Sequence, residues 1–197
     1  MRGVLIAFEG LDQSGKQTQA ELLREHVMAR GRQCRVLSFP DYATPIGTEI
    51  GRALHGEGEY GTDVMQLLYV ANRYEARREI EAGLAAGMVL LSDRYAASSI
   101  AYGEAQGLDA SWLADIQRFL PPADLTILLD IAPETAMRRK ATGRDRYERD
   151  LALLSRVGDS YRCQAMATGW LRIDGERPQS EVSADVIAAL ESRLVLR

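Results

Sequence analysis

The chain has 197 residues, 46% of them hydrophobic and 26% charged, so one soluble domain with its own core is expected, without disulfide or metal staples. A net charge of -4 argues against a general nucleic-acid binder, which carries a basic excess, but leaves room for small phosphorylated ligands held by local arginine clusters. Cys34 and Cys163 show no CxxC spacing, the N-terminal apolar run stops at Glu9, and no stretch suits a membrane span, so a cytoplasmic protein with reduced thiols, bound to neither membrane nor nucleic acid, is expected.

Short apolar runs alternate with amphipathic stretches along the whole chain. Val4–Phe8 reads as a first buried strand, followed by a helix marked by Ala20, Leu23 and Val27. Arg35–Phe39 is a second strand. His55–Gly61 is too polar and glycine-rich for anything but a loop, and Val64, Leu67, Leu68 and Ala71 then recur at helical spacing after Thr62. Met88–Leu91 is a third strand, Trp112, Ile116 and Phe119 mark a helix, and Leu125–Leu129 is a fourth strand. Pro133 suits the first turn of the next helix. Lys140–Tyr147 (KATGRDRY) is a basic loop. Leu154, Val157 and Tyr161 mark another helix, Leu171–Ile173 a fifth strand, and Val182, Val186 and Leu190 a last helix. Continuously apolar strands alternating with helices predict an α/β domain over residues 1–197, a five-stranded parallel sheet flanked by helices on both faces.

Gly10–Gln17 reads G-L-D-Q-S-G-K-Q between a strand and a helix. This nearly matches the phosphate-binding loop, in which glycines let backbone N–H groups converge on phosphate oxygens and a lysine reaches the β- and γ-phosphates. Gly10, Asp12, Gln13, Ser14, Gly15, Lys16, Gln17 and Thr18 are therefore candidate ATP-binding residues. Position 17 departs from the pattern: a longer, neutral Gln replaces the hydroxyl that holds magnesium, and Asp93 is the more secure partner for the metal's waters. Gly56, Gly58 and Gly61 spell the dinucleotide fingerprint, but no strand precedes them and Glu57 and Glu59 would repel a pyrophosphate. The sole asparagine, Asn72, is not in a guanine-reading Asn-Lys-x-Asp, which closes the GTPase class.

Five further segments stand in a definite order: Phe8–Gln19 (FEGLDQSGKQTQ), Phe39–Gly47 (FPDYATPIG), Leu67–Glu75 (LLYVANRYE), Ser92–Tyr102 (SDRYAASSIAY) and Gly143–Glu148 (GRDRYE). Taken together they resemble the thymidylate kinase family over nearly the whole chain. The resemblance implies a P-loop kinase with a short basic lid at about 140–147, phosphorylating dTMP to dTDP with MgATP, a step toward dTTP, as a homodimer. It implies that Arg94 binds the acceptor phosphate, Asp93 sits near magnesium, Tyr69 stacks on thymine and Arg73 bonds its edge. Asp12 would touch the deoxyribose 3′-hydroxyl or order nearby groups, Tyr102 would crowd the sugar 2′ position, Ser99 would make a polar contact to the base with Ser98 also in the dTMP set, and Arg139 would lie against adenine. Phe39 and Tyr42 complete the acceptor set; Tyr42 stands where many relatives supply an arginine to the acceptor phosphate. Because Gln13 leaves the P-loop without an arginine, Arg144 and Arg146 are candidates for the transition-state charge beside Lys16, Arg94 and Asp12. Taken singly, Arg73 reads better as a solvated helix residue and Tyr69 as core; only the ordered set favours the functional reading. The rivals are a deoxynucleoside kinase, which needs a base at the 5′-oxygen that Asp12 matches poorly, and a nucleotide-sensing module without turnover.

Overall fold

The computed structural model describes residues 2–140 and 150–193. Five parallel strands form one sheet in the order β2-β3-β1-β4-β5, with β1 Val4–Glu9, β2 Cys34–Ser38, β3 Val89–Asp93, β4 Leu125–Asp130 and β5 Leu171–Asp174. Each expected strand is present, with ends moved by one or two residues. The central strand β1 shows why its sequence is continuously apolar. Side chains alternate across a strand, so Ile6 and Phe8 enter one core with Ala20, Leu23, Val186 and Leu190, while Leu5 and Ala7 enter another with Ile80 and Leu84. All four of these β1 side chains are essentially fully buried.

The helices are α1 Lys16–Ala29, α2 Pro45–Leu54, α3 Thr62–Glu75, α4 Arg77–Ala85, α5 Ala96–Ala105, α6 Ala110–Asp115, α7 Pro133–Arg139, α8 Leu151–Thr168 and α9 Gln179–Arg193. Pro133 opens α7 as its spacing predicts. Asp150 caps α8, accepting from the Leu153 N–H at 2.9 Å. Leu154, Val157 and Tyr161 on α8 and Val182, Val186 and Leu190 on α9 are buried as expected.

Two helical expectations are corrected. In α3 the helix is right but its face is not: Val64 and Leu67 are exposed, and the buried side is Met65, Gln66, Val70, Asn72 and Arg73. That face meets mixed surroundings: Met65 packs with Ile50 and Ala53, Gln66 and Arg73 line a cavity, and Asn72 bonds to Asp41 and Thr44. The Trp112–Phe119 helix is only the six-residue α6; it buries Leu113, and Phe119 lies beyond it, 58% exposed with the Arg118 guanidinium over its ring.

Parallel strands bring their carboxyl ends to one edge. Ser38 and Phe8 both stand in register with Asp93, so Glu9, Ser38, Asp93 and Asp130 line the same rim. The chain crosses from β3 to β4 over β1, and the rim at such a crossover is where open α/β sheets bind ligands. No helix among the described residues is long and apolar enough to cross a membrane.

Candidate active site

The loop between β1 and α1 is shaped by its glycines. Gly10 has φ 138°, and a Cβ there would lie 2.4 Å from the Leu129 carbonyl oxygen, so no larger residue fits. Gly15 starts α1 at φ 96° and no side chain caps the helix, which leaves its first N–H groups for an anion. Lys16 folds back and donates from Nζ to the Leu11 carbonyl at 2.8 Å. Burial, and then the repulsion of Arg94, push the Lys16 ammonium down to about 8, against the partial support of Asp93, Asp12 and Glu9.

A cavity of about 740 Å³ opens in front of this loop. Asp12, Gln13, Lys16, Gln17 and Thr18 line it from the loop and α1, with Ser38, Tyr42, Asp93 and Arg94 opposite. Ser14 is buried with its hydroxyl unpartnered among the described residues. Arg139 donates from Nη1 to the Gln13 carbonyl at 3.0 Å and from Nη2 to the Gly175 carbonyl at 2.9 Å, tying the loop to the β5–α9 turn.

The donor set can also be tested for magnesium. Asp93 Oδ1 is buried with no hydrogen-bond partner among the described residues, and Gln17 lines the same cavity. The described residues contain no cluster of three or more His, Cys, Asp or Glu that could cage a metal alone. One free carboxylate oxygen beside a phosphate site fits an ion that keeps its waters and shares phosphate oxygens.

A second cavity, about 510 Å³, adjoins the first and shares Asp12, Phe39, Pro40, Tyr42 and Arg94 with it. Arg94 stands at the junction in a left-handed conformation, φ 64°, fixed by its N–H to the Phe8 carbonyl at 2.9 Å and by the Ser92 hydroxyl on its own carbonyl. Its guanidinium donates from Nη2 to Asp12 Oδ1 at 2.6 Å and to the Tyr102 hydroxyl at 3.3 Å, and from Nη1 to the Ser98 and Tyr161 hydroxyls, both at 3.2 Å. Tyr102 also donates to Asp12 Oδ2 at 3.1 Å. Burial alone would raise the Asp12 carboxyl, but Arg94 and Lys16 more than offset it and hold it well below the usual carboxylate range.

Behind this layer lies Glu9, fully buried. Its carboxylate accepts from the Tyr95 N–H at 2.8 Å, the Ser98 hydroxyl at 2.7 Å and the Tyr161 hydroxyl at 3.2 Å. The far end of the cavity belongs to α3. Tyr69 lines it, as does Arg73, which donates from Nη1 to Ser99 Oγ at 2.8 Å and Gln117 Oε1 at 3.3 Å. Burial lowers the Arg73 guanidinium to about 10, well short of neutrality near pH 7. Asn72 turns to the Phe39–Gly47 segment, accepting from the Asp41 N–H at 2.8 Å and donating to Thr44 Oγ1 at 2.8 Å.

The chain matches the family model described as thymidylate kinase over residues 8–186. The chain belongs to the thymidylate kinase family. A relative described as thymidylate kinase from Schizosaccharomyces pombe is 39% identical over 148 residues, covering 75% of this chain and 70% of the relative. One from Dictyostelium discoideum is 33% identical over 192 residues, covering 97% and 86%. The solved structure of thymidylate kinase from Candida albicans superposes with a TM-score of 0.87 at 29% identity, covering 97% of this chain and 92% of that one. The sheet flanked by helices is thus the P-loop fold of the thymidylate kinase family.

Against that family frame, the structure gathers Asp12, Gln13, Gly15, Lys16, Gln17, Thr18, Asp93 and Arg94 at one cavity, and Phe39, Tyr42, Tyr69, Arg73, Ser98, Ser99 and Tyr102 at the other. Ser98, expected in the dTMP set, lines that cavity too, with its hydroxyl bonded to Glu9 and Arg94. Arg144 and Arg146 lie outside the described residues. Sequence reading missed Glu9, Ser38, Gln66 and Tyr161. Glu9 carried the one available signal, a carboxylate ending an otherwise apolar strand just before a phosphate loop.

Proposed function

We propose that the chain transfers the γ-phosphate of MgATP to dTMP, giving ADP and dTDP, with the larger cavity holding the donor phosphates and the smaller one the acceptor. The observation that carries this reading is Arg94, which stands where the two cavities meet. Two anions must be brought together there, and a fork of donors between them offsets their repulsion. A phosphate monoester has its second pKa near 6, so its oxygen is largely ionised at pH 7 and no general base is needed. Catalysis is then positioning and charge neutralisation. Lys16 neutralises the donor side, Arg94 the acceptor side, and Asp12 stays ionised to hold Arg94 and Tyr102 in place.

Asp93, with Gln17 beside it, would hold magnesium or its waters. When bound, the ion neutralises charge on the β- and γ-phosphate oxygens. Tyr69 and Arg73 face the base, and Tyr42 takes the place of an acceptor-phosphate arginine. Arg139 is proposed to meet adenine, and Arg144 and Arg146 to close over ATP from a lid at about 140–147. The whole chain is taken as one kinase domain in the cytoplasm. The exposed apolar side chains of Val64 and Leu67 on α3 support a homodimer through that helix.

The test is ADP release from ATP over a panel of nucleosides and nucleoside monophosphates. Turnover with dTMP above all others is expected, with dUMP weaker because a 5-methyl group is worth only ~1–3 kcal/mol in an apolar slot. A clear preference for CMP, AMP or an unphosphorylated nucleoside would replace this reading.

A further inference from the structure

Gln66, Tyr69 and Arg73 fall at i, i+3 and i+7 on α3, which places all three on the helix face that closes the acceptor cavity. Gln66 is the unexpected member. It is 1% exposed, yet neither its Oε1 nor its Nε2 has a partner among the described residues, and Arg73 Nε lacks one as well. Buried amides are nearly always hydrogen-bonded, because leaving one unpaired forfeits its hydration without return. Here the unpaired donor and acceptor belong to a residue on the wall of a cavity, where a ligand can complete them.

The chemistry of that wall narrows the ligand's edge. Among the described residues lining the cavity, Asp12 and Gln66 carry the only side-chain carboxylate or carboxamide oxygens. Asp12 is taken by Arg94 and Tyr102. Ser99 Oγ accepts from Arg73, and Ser98 Oγ accepts from Arg94. Gln66 Oε1 is a carbonyl-type acceptor with no partner among the described residues, open to a ring N–H, while Gln66 Nε2 and Arg73 Nε are donors open to carbonyls. A pyrimidine whose N3–H lies between two carbonyls presents the complementary set. A 4-amino pyrimidine presents N3 as an acceptor instead. The amide could rotate to meet it, but Arg73 donates only and would oppose the amino group.

We propose that Gln66 reads the imide edge of the acceptor base: Oε1 accepts from N3–H and Nε2 donates to a neighbouring carbonyl. This rests on the dTMP reading and adds a specificity residue to it. The experiment is steady-state kinetics of the wild type, Gln66→Met and Gln66→Ala with dTMP and with dTMP methylated at N3. The wild type should strongly prefer dTMP. In Gln66→Met the KM for dTMP should rise about tenfold or more, the loss of a buried hydrogen bond, with kcat and the KM for ATP changed only a few-fold. The preference for dTMP over the N3-methyl compound should narrow by about tenfold or more, which a merely structural role would not do.

Because the amide has no partner among the described residues, Gln66→Met should melt at or above the wild-type temperature. Should Gln66→Met not fold, Gln66→Ala carries the same ratio test. A wild type that ignores dTMP overturns the acceptor assignment and the inference with it. A wild type active on dTMP, with the ratio unchanged in both variants, overturns the inference alone.

Discussion

The two cavities are built in different ways. The donor side rests on one unbroken stretch, the β1–α1 loop, where backbone conformation at Gly10 and Gly15 and an uncapped helix start leave the site's N–H groups. The acceptor side rests on side chains from several separate segments: Asp12, Phe39–Tyr42, α3 and the Asp93–Tyr102 run, locked to one another through Arg94 and Glu9. A backbone site tolerates changes in most of its side chains, since the backbone supplies the donors. A side-chain site transmits each change to its neighbours, because each group holds the next.

The largest test of that contrast is the exception on the donor side, Lys16. Lys16→Ala removes the ammonium proposed to meet the donor phosphates and should lower kcat on the order of 10³-fold, while thermal melting stays close to the parent. Arg94→Lys keeps the charge but loses the fork that meets Asp12, Ser98, Tyr161 and Tyr102. The KM for dTMP should rise on the order of 10²-fold with the KM for ATP little changed, and initial rates over both substrates decide it.

Glu9→Gln probes the layer behind. Glu9 does not line either cavity, yet its carboxylate fixes Ser98 and Tyr161, which accept from Arg94. About a tenfold loss in kcat/KM for dTMP is expected, larger than the loss for ATP, because Arg94 would be less firmly aimed. Equal losses for both substrates would make Glu9 a folding residue only.

The fourth test uses the ammonium itself. Burial holds Lys16 near 8 in the ligand-free protein, and a bound polyphosphate favours its charged form. MgATP binding near pH 8 should therefore take up about half a proton, falling toward none below pH 7, read by calorimetry in buffers of differing ionisation enthalpy. In stability the sign is fixed by the same shift. Folded Lys16 loses its proton near 8 while the unfolded residue keeps it to 10.5, so between these values the unfolded state binds more protons and the cost of burying this charge shrinks as pH rises. The smallest effect belongs to Gln17→Ser. With Asp93 as the main metal partner, activity should stay within about threefold and the magnesium needed for half-maximal rate should fall or hold.

The sequence alone determined the sheet and pointed to the β1–α1 loop as the place for phosphates. Apolar runs at strand length and amphipathic spacing are local signals, and a phosphate loop works only as a contiguous stretch, so G-L-D-Q-S-G-K-Q could be read where it stands. Residue order further assigned Arg94, Tyr69 and Arg73 by likeness to a family. What only the tertiary structure decided is who faces whom. The apolar spacing of Val64, Leu67 and Leu68 suggested a buried stripe, but helical periodicity does not say whether core or cavity lies opposite. In the fold Gln66 and Arg73 are buried at the cavity and Asn72 against Asp41 and Thr44, while Val64 and Leu67 are exposed. Glu9 and Tyr161 are 152 positions apart, and their 3.2 Å hydrogen bond exists only because the sheet brings the end of β1 under α8. Such long-range pairing of polar groups has no local pattern to betray it, since burial, not spacing, makes the contact obligatory.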